Sequence, residues 1–134
     1  MDKVQHFEIP ADDTNRAKQF YTDTFGWNMQ DWPMPDGSTY VGVLTGPTDT
    51  KEHKPAESGF INGGMFKRGG ESFPITSPVI TVVVENIEKS LEKVKANGGS
   101  VIAPTQEVPE MGLYAYIKDT EGNVMGVWQN LKKS

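Results

Sequence analysis

Asp119-Thr120-Glu121-Gly122-Asn123-Val124-Met125-Gly126-Val127-Trp128-Gln129 is the stretch whose reading decides the fold. Asp119 opens a tight turn, Gly122-Asn123 suits left-handed backbone angles, and Val124 to Gln129 is a mostly apolar run of strand composition. The stretch therefore reads as a hairpin turn feeding a strand. Alternation puts Val124, Gly126 and Trp128 on one face, with Met125 and Val127 behind. If Gly126 faces a cavity, Trp128 rather than Met125 is its wall.

Working back from this hairpin, Leu113 to Lys118 is a strand, and Ser100 to Gln106 is another, interrupted at Pro104 as an edge or bend. Asn86 caps a helix that buries Ile87, Leu91 and Val94 and stops at Asn97-Gly98-Gly99. Val79 to Val84 is β-branched throughout and is the strongest strand. The earlier half repeats the series. Val4 to Ile9 alternates, with Phe7 and Ile9 on one face and His6 and Glu8 on the other. Asp12, Asp13 and Thr14 offer N-caps to a helix from Thr14 to Thr24, whose buried stripe is Ala17, Phe20, Tyr21 and Phe25, with Gly26 as C-cap. Strands follow at Trp27 to Trp32, Thr39 to Leu44 and Phe60 to Phe66, the last two separated by the polar loop Gly46 to Ser58.

Gly63-Gly64 reads as a bend allowing close strand approach, since no helix with Lys-Ser/Thr follows to make a phosphate cradle. Lys67 to Pro78, with Gly69-Gly70, Pro74 and Pro78, reads as a linker. The pattern is strand, helix and three strands, twice over. Two such copies must pair to bury their sheet faces. One domain over 1–134 is expected, with module one at about 1–66, the linker at about 67–78 and module two at about 79–130.

Composition narrows the function classes. The chain has 134 residues, 36% hydrophobic and 23% charged, which suits a globular domain with a real core. Its formal charge is −5, and its lysines are scattered, so no basic stripe argues for nucleic acid. There is no cysteine, which removes disulfides, thiolate catalysis and Cys-based zinc sites. No apolar run approaches the ~20 residues that span a bilayer. Met1-Asp2-Lys3-Val4 carries no signal pattern, so a cytoplasmic location with no membrane partner is expected.

His6-Phe7-Glu8-Ile9-Pro10-Ala11-Asp12-Asp13, Ala17, Phe20-Tyr21 and Phe25-Gly26-Trp27 resemble the opening module of the glyoxalase/bleomycin-resistance/extradiol-dioxygenase superfamily, also called vicinal oxygen chelate. Gly112 to Tyr116, Asp119 to Asn123 and Trp128-Gln129 resemble its final hairpin. The resemblance implies an α+β fold of two βαβββ modules forming a partly open, cupped mixed β-barrel with helices outside and a ligand on the concave face. It also implies a homodimer. If the chain is an enzyme, the resemblance implies a lyase, isomerase or dioxygenase. Metal-dependent members place a His or Gln on the first strand, a second ligand on the leading strand of module two, and a Glu on the last strand. Carried over, His6 holds the first position, the second falls within Val79 to Thr81, and the third falls on Gly126. One ligand of three survives, so no cofactor is expected and a divalent metal is disfavoured.

His6 can serve as a metal ligand or general base, with Glu8 orienting it, or it can be a hydrogen-bonded histidine lining a cavity. His53, beside Lys51, Glu52 and Lys54, reads as solvated surface. Glu107 and Glu110 read as solvated loop charges, although a pair of carboxylates can act as acid and base. Trp32, Tyr40, Met65, Phe73, Tyr114, Tyr116, Met125 and Trp128 can line a cavity or fill a core. The expected ligand pocket comprises His6, Glu8, Tyr40, Thr81, Tyr114, Gly126 and Trp128. Two function classes follow. One is a small-molecule-binding domain without the metal; the other is a metal-dependent lyase or isomerase that uses His6 with other ligands. A third class is an accessory subunit of another protein.

Overall fold

The computed structural model describes residues 1–69 and 75–131. It is α+β. The chain runs through β1 (Lys3–Ala11), α1 (Thr14–Phe25), β2 (Asn28–Pro33), β3 (Thr39–Leu44), the two-residue strands β4 (Thr48–Asp49) and β5 (Lys54–Pro55), and β6 (Gly63–Lys67). It continues through β7 (Val79–Val83), α2 (Ile87–Ala96), β8 (Ser100–Val108), β9 (Gly112–Lys118) and β10 (Val124–Asn130). Two compact units emerge: His6–Pro78, and Met1–Gln5 with Val79–Ser134.

Each unit uses the same wiring. In the first, the strand order is β2-β3-β6-β1; in the second it is β8-β9-β10-β7. The last strand of each series returns parallel to the first, β6 on β1 and β10 on β7, while the other pairings are antiparallel. The repeated βαβββ series read from the sequence is therefore the repeated topology.

Local chemistry sets the elements. Asp13 caps α1 by accepting from the Arg16 amide at 3.0 Å, and Gly26 ends it at φ +74, a left-handed angle that glycine adopts without a Cβ penalty. Asn86 caps α2 in the same way through the Lys89 amide. In the first unit, Ala11, Val41, Val43 and Met65 form a core that Phe7, Ala17, Tyr21, Trp27 and Met29 cover. In the second, Ile87 and Leu91 of α2 pack on Ala115 and Val127, with Val82, Val101, Leu113 and Ile117 around them. β8 is the outermost strand of its unit, and its register with β9 slips on both sides of Ala103, next to Pro104.

Several expectations change. Helical spacing predicts Phe20 and Phe25 on the buried stripe of α1, yet they are 56% and 60% exposed; of the four apolar positions only Ala17 and Tyr21 pack on the core, because the helix meets the sheet along one narrow stripe. Of Gly122-Asn123, only Gly122 has positive φ. Phe60 to Asn62 precede rather than join β6. The loop 46–58 contains the hairpin β4–β5, and Glu107 lies on β8 instead of in a loop. Of the expected linker, 70–74 lie outside the described residues, Phe73 and Pro74 among them, while Lys67 ends β6 and Ile75 is buried. Among the described residues, no helix is long and apolar enough to cross a membrane.

The Asp119 turn is held by one side chain. Its carboxylate accepts from the amides of Glu121 at 2.8 Å and Asn123 at 2.9 Å, and from Asn123 Nδ2 at 3.0 Å. These bonds, that of the Asn123 side chain first, hold the Asp119 pKa below its usual value. A depressed carboxylate contributes stability above its unfolded pKa and loses it as pH falls through the folded one. Asp119→Ala is therefore expected to lower the urea midpoint at pH 7, with the difference from wild type shrinking at pH values where Asp119 is protonated. A pH-independent difference would contradict this.

Candidate functional site

Alternation along β1 sends Phe7 into the α1 core and leaves His6 and Glu8 on the opposite face of the first unit's sheet. Glu8 is buried at 7% exposure. Tyr40 shares that face, because its neighbour Val41 turns toward the core. Its hydroxyl meets His6 Nε2 at 3.1 Å, a reach made across β6. The reach needs Gly64. A Cβ there would overlap the hydroxyl end of the Tyr40 ring. On the helix side Gly63 does the same for Phe7, whose ring lies 2.5 Å from where a Cβ would sit. The glycine pair is thus two seats for aromatic rings on opposite faces of a continuous strand; the expected close strand approach is present at Gly63, where a Cβ would also lie 2.5 Å from the Phe7 carbonyl oxygen, and the expected bend is not.

Tyr40 stacks on Phe66 at 6.5 Å and 12°, and Trp32 is its direct partner in the β2–β3 register. His53 then comes edge-on to Trp32, with ring centroids 6.0 Å apart at 87°. His53 is exposed, as expected, but the β4–β5 hairpin gives it a neighbour that its local sequence does not suggest. Its φ of +54 is uncommon for a residue with a side chain. The signal for Trp32 was present in the sequence: two strands joined by a short turn bring Trp32 and Tyr40 opposite one another.

Burial lowers the His6 pKa from 6.5 to about 4, because the part-buried imidazole is costly to charge away from water. At neutral pH the ring is uncharged, and one nitrogen is engaged by Tyr40. A base this weak has little driving force for proton abstraction near pH 7.

The second unit also has a face turned away from its helix. Val127 and Ala115 point into the α2 core, so Gly126 and Trp128 of β10 and Tyr114 and Tyr116 of β9 point the other way. Thr81 on β7 stands in register with Gly126, and Tyr116 flanks Gly126 on the other side. Tyr116 is 1% exposed and meets Tyr114 edge-on at 5.9 Å. The Tyr114 hydroxyl donates to Gln106 Oε1 at 2.7 Å, and the Trp128 indole N–H donates to Asn130 Oδ1 at 2.7 Å. The Trp128 ring lies over Gly112. Met125 is off this face. Thr81 is 3% exposed, and its Oγ1 has no hydrogen-bond partner among the described residues.

The seven expected pocket residues therefore fall into two groups within the units that hold them: His6, Glu8 and Tyr40, and Thr81, Tyr114, Gly126 and Trp128. Glu107 and Glu110 are both exposed, the former on β8 and the latter in the turn beyond it. Among the described residues, no three His, Asp or Glu side chains come close enough to hold a metal ion.

Residues 3–46 match the family model described as bleomycin resistance protein-like, N-terminal. The chain is 29% identical over 124 residues to the putative glyoxylase CFP32 of Mycobacterium tuberculosis, covering 91% of this chain and 43% of that one, so it spans less than half of that relative's length. It is 28% identical over 130 residues to a glyoxylase-like domain-containing protein of Didymella fabae, covering 93% and 91% of the two chains. In fold it is similar to the hypothetical protein BH1468 of Bacillus halodurans, at TM-score 0.69 and 15% identity over 99% of this chain and 97% of that one. A glyoxalase/bleomycin resistance protein/dioxygenase superfamily member from Vibrio splendidus aligns at TM-score 0.59 and 14% identity, over 97% and 100%. Methylmalonyl-CoA epimerase of M. tuberculosis aligns at TM-score 0.66 and 12% identity, over 96% and 88%. These matches bear out the resemblance carried by the opening and closing motifs.

Proposed function

We propose that this glyoxalase/bleomycin-resistance-like chain is a small-molecule-binding domain that holds its ligand without the superfamily's divalent metal. The carrying observation is the engagement of His6, the one retained metal position: its part-buried Nε2 lies 3.1 Å from the Tyr40 hydroxyl. That is the chemistry of a fixed hydrogen-bonding group. At the other two positions, the stretch Val79 to Thr81 offers no good divalent ligand and Gly126 offers none, so these residue types do not fit a divalent ion. The half-buried Trp32 and Tyr40 supply apolar area, and Glu8 and His6 supply the few polar groups that orient a ligand. Two copies would pair, as the resemblance implies.

The test uses 8-anilinonaphthalene-1-sulfonate as a flat aromatic probe, together with metal analysis of the purified protein. The probe is expected to bind equally well before and after treatment with EDTA, and Trp32→Ala should weaken it roughly fivefold, the loss of about 1 kcal/mol of aromatic contact. The chain should carry far less than one equivalent of zinc, nickel, manganese or iron. Stoichiometric metal that depends on His6, or binding abolished by EDTA, would overturn the metal-free reading.

A further inference from the structure

We infer that Thr81 is the plug of position 126: its side chain fills the space that a side chain on β10 would need, and so closes that position to any metal-ligating or other functional group. Gly126 and Thr81 are direct partners in the parallel β7–β10 pair, and their side chains project to the same face. An ideal Cβ built on Gly126 would lie 2.6 Å from Thr81 Oγ1 and 3.4 Å from both Thr81 Cβ and Cγ2. The 2.6 Å approach is closer than real Cβ contacts permit, so the threonine has to move before even alanine fits. It has little room to move, being 3% exposed in a packed interior.

The hydroxyl itself argues for a volume role. Thr81 Oγ1 is buried with no hydrogen-bond partner among the described residues, and such a group ordinarily costs stability. What threonine provides at this point is the shape of a β-branched side chain, which occupies the gap left by a partner strand with no Cβ at 126. The loss of a side chain at 126 and the presence of Thr81 are one packing solution. A carboxylate is not accommodated at 126 by a single substitution, because Thr81 Oγ1 lies 2.6 Å from where its first carbon would go. This inference rests on the metal-free reading only for why position 126 matters; the steric claim is independent of it.

A double-mutant cycle on the full chain, read by thermal unfolding, separates the two. Gly126→Ala is expected to lower Tm by about 5 °C through overpacking. In a Thr81→Ala background, where Oγ1 and Cγ2 are gone, the same substitution should lose at least half of that penalty. Thr81→Val keeps the shape and removes the unpaired hydroxyl, so its Tm should equal or exceed that of wild type. Additive Tm shifts in the cycle, or an unchanged Tm for Gly126→Ala, would overturn the plug. So would a fall in Tm for Thr81→Val, which would mean that the hydroxyl has a partner. Gly126→Glu, dialysed against zinc, should retain no more metal than wild type; one retained equivalent would overturn the closure of the site while leaving the steric coupling to the cycle. Should Gly126→Glu fail to fold, the alanine cycle decides alone.

Discussion

Gly64→Ala is expected to destabilise the chain by roughly 3 kcal/mol, more than an ordinary surface glycine substitution. The added methyl would occupy the place of the Tyr40 hydroxyl end. A tyrosine ring is rigid, and this one is stacked on the buried Phe66, so it has to swing away as a unit. Swinging it out also breaks the 3.1 Å contact to His6 and leaves the imidazole in a different environment. The measurement is urea denaturation of Gly64→Ala, Tyr40→Ala and the double variant. The double should cost clearly less than the sum, because alanine at 40 removes the atoms that the new methyl meets. Near-additivity would mean that the ring does not lie over Gly64. Gly64→Ala should also shift the His6 imidazole resonances.

His6 gives the second large effect. Its pKa is lowered from 6.5 to about 4 by desolvation. Below pH 6.5 the unfolded chain takes up a proton that the folded chain refuses until about pH 4. The unfolded state therefore binds more protons in that window, and stability falls as pH falls. Above pH 6.5 both states are neutral and the term vanishes. At about 1.4 kcal/mol per unit, the loss across the window reaches roughly 3 kcal/mol at most, since the residue is only part-buried. Carboxylates titrate in the lower part of the same range, so the His6 contribution is isolated by comparison with His6→Gln. The wild-type stability should drop more steeply than that of His6→Gln between pH 6.5 and 4. An NMR titration placing the imidazole near 6.5 would sink this prediction.

The elements were legible because their signals are local. Asp119, Gly122 and Gly26 act on their own backbone, and Asp13 and Asn86 cap helices through amides three residues on. β-branched runs and alternation report burial on one side of a strand, so the faces of β1 and β10 are legible in the sequence. The stripe of α1 was less legible. Phe20 and Phe25 have helical spacing and hydrophobic character, yet the width of the contact with the sheet decides which of four apolar residues is covered.

The candidate site was legible only as a set of residues sharing faces. His6 and Glu8 could be paired by their spacing, and Gly126 could be recognised as a position without a ligand. Their environment depends on contacts between strands remote in sequence. The Tyr40 hydroxyl reaches His6 across a sequence separation of 34, and it does so through a gap that Gly64 leaves. His53 meets Trp32 because a two-strand hairpin folds it there. The missing side chain at 126 could be read from the sequence; that Thr81 fills its place depends on strand register.

By itself, the sequence determined the repeated βαβββ order, the helix caps, the Asp119 turn and the absence of a side chain at position 126, since each follows from backbone geometry or residue identity within a few positions. Tertiary structure alone decided that burial lowers the His6 pKa and that Tyr40 holds its ring, that the glycine pair seats aromatic rings, and that Thr81 closes Gly126. Desolvation, ring placement and excluded volume depend on which distant atoms share a space, and no short stretch of sequence contains that information.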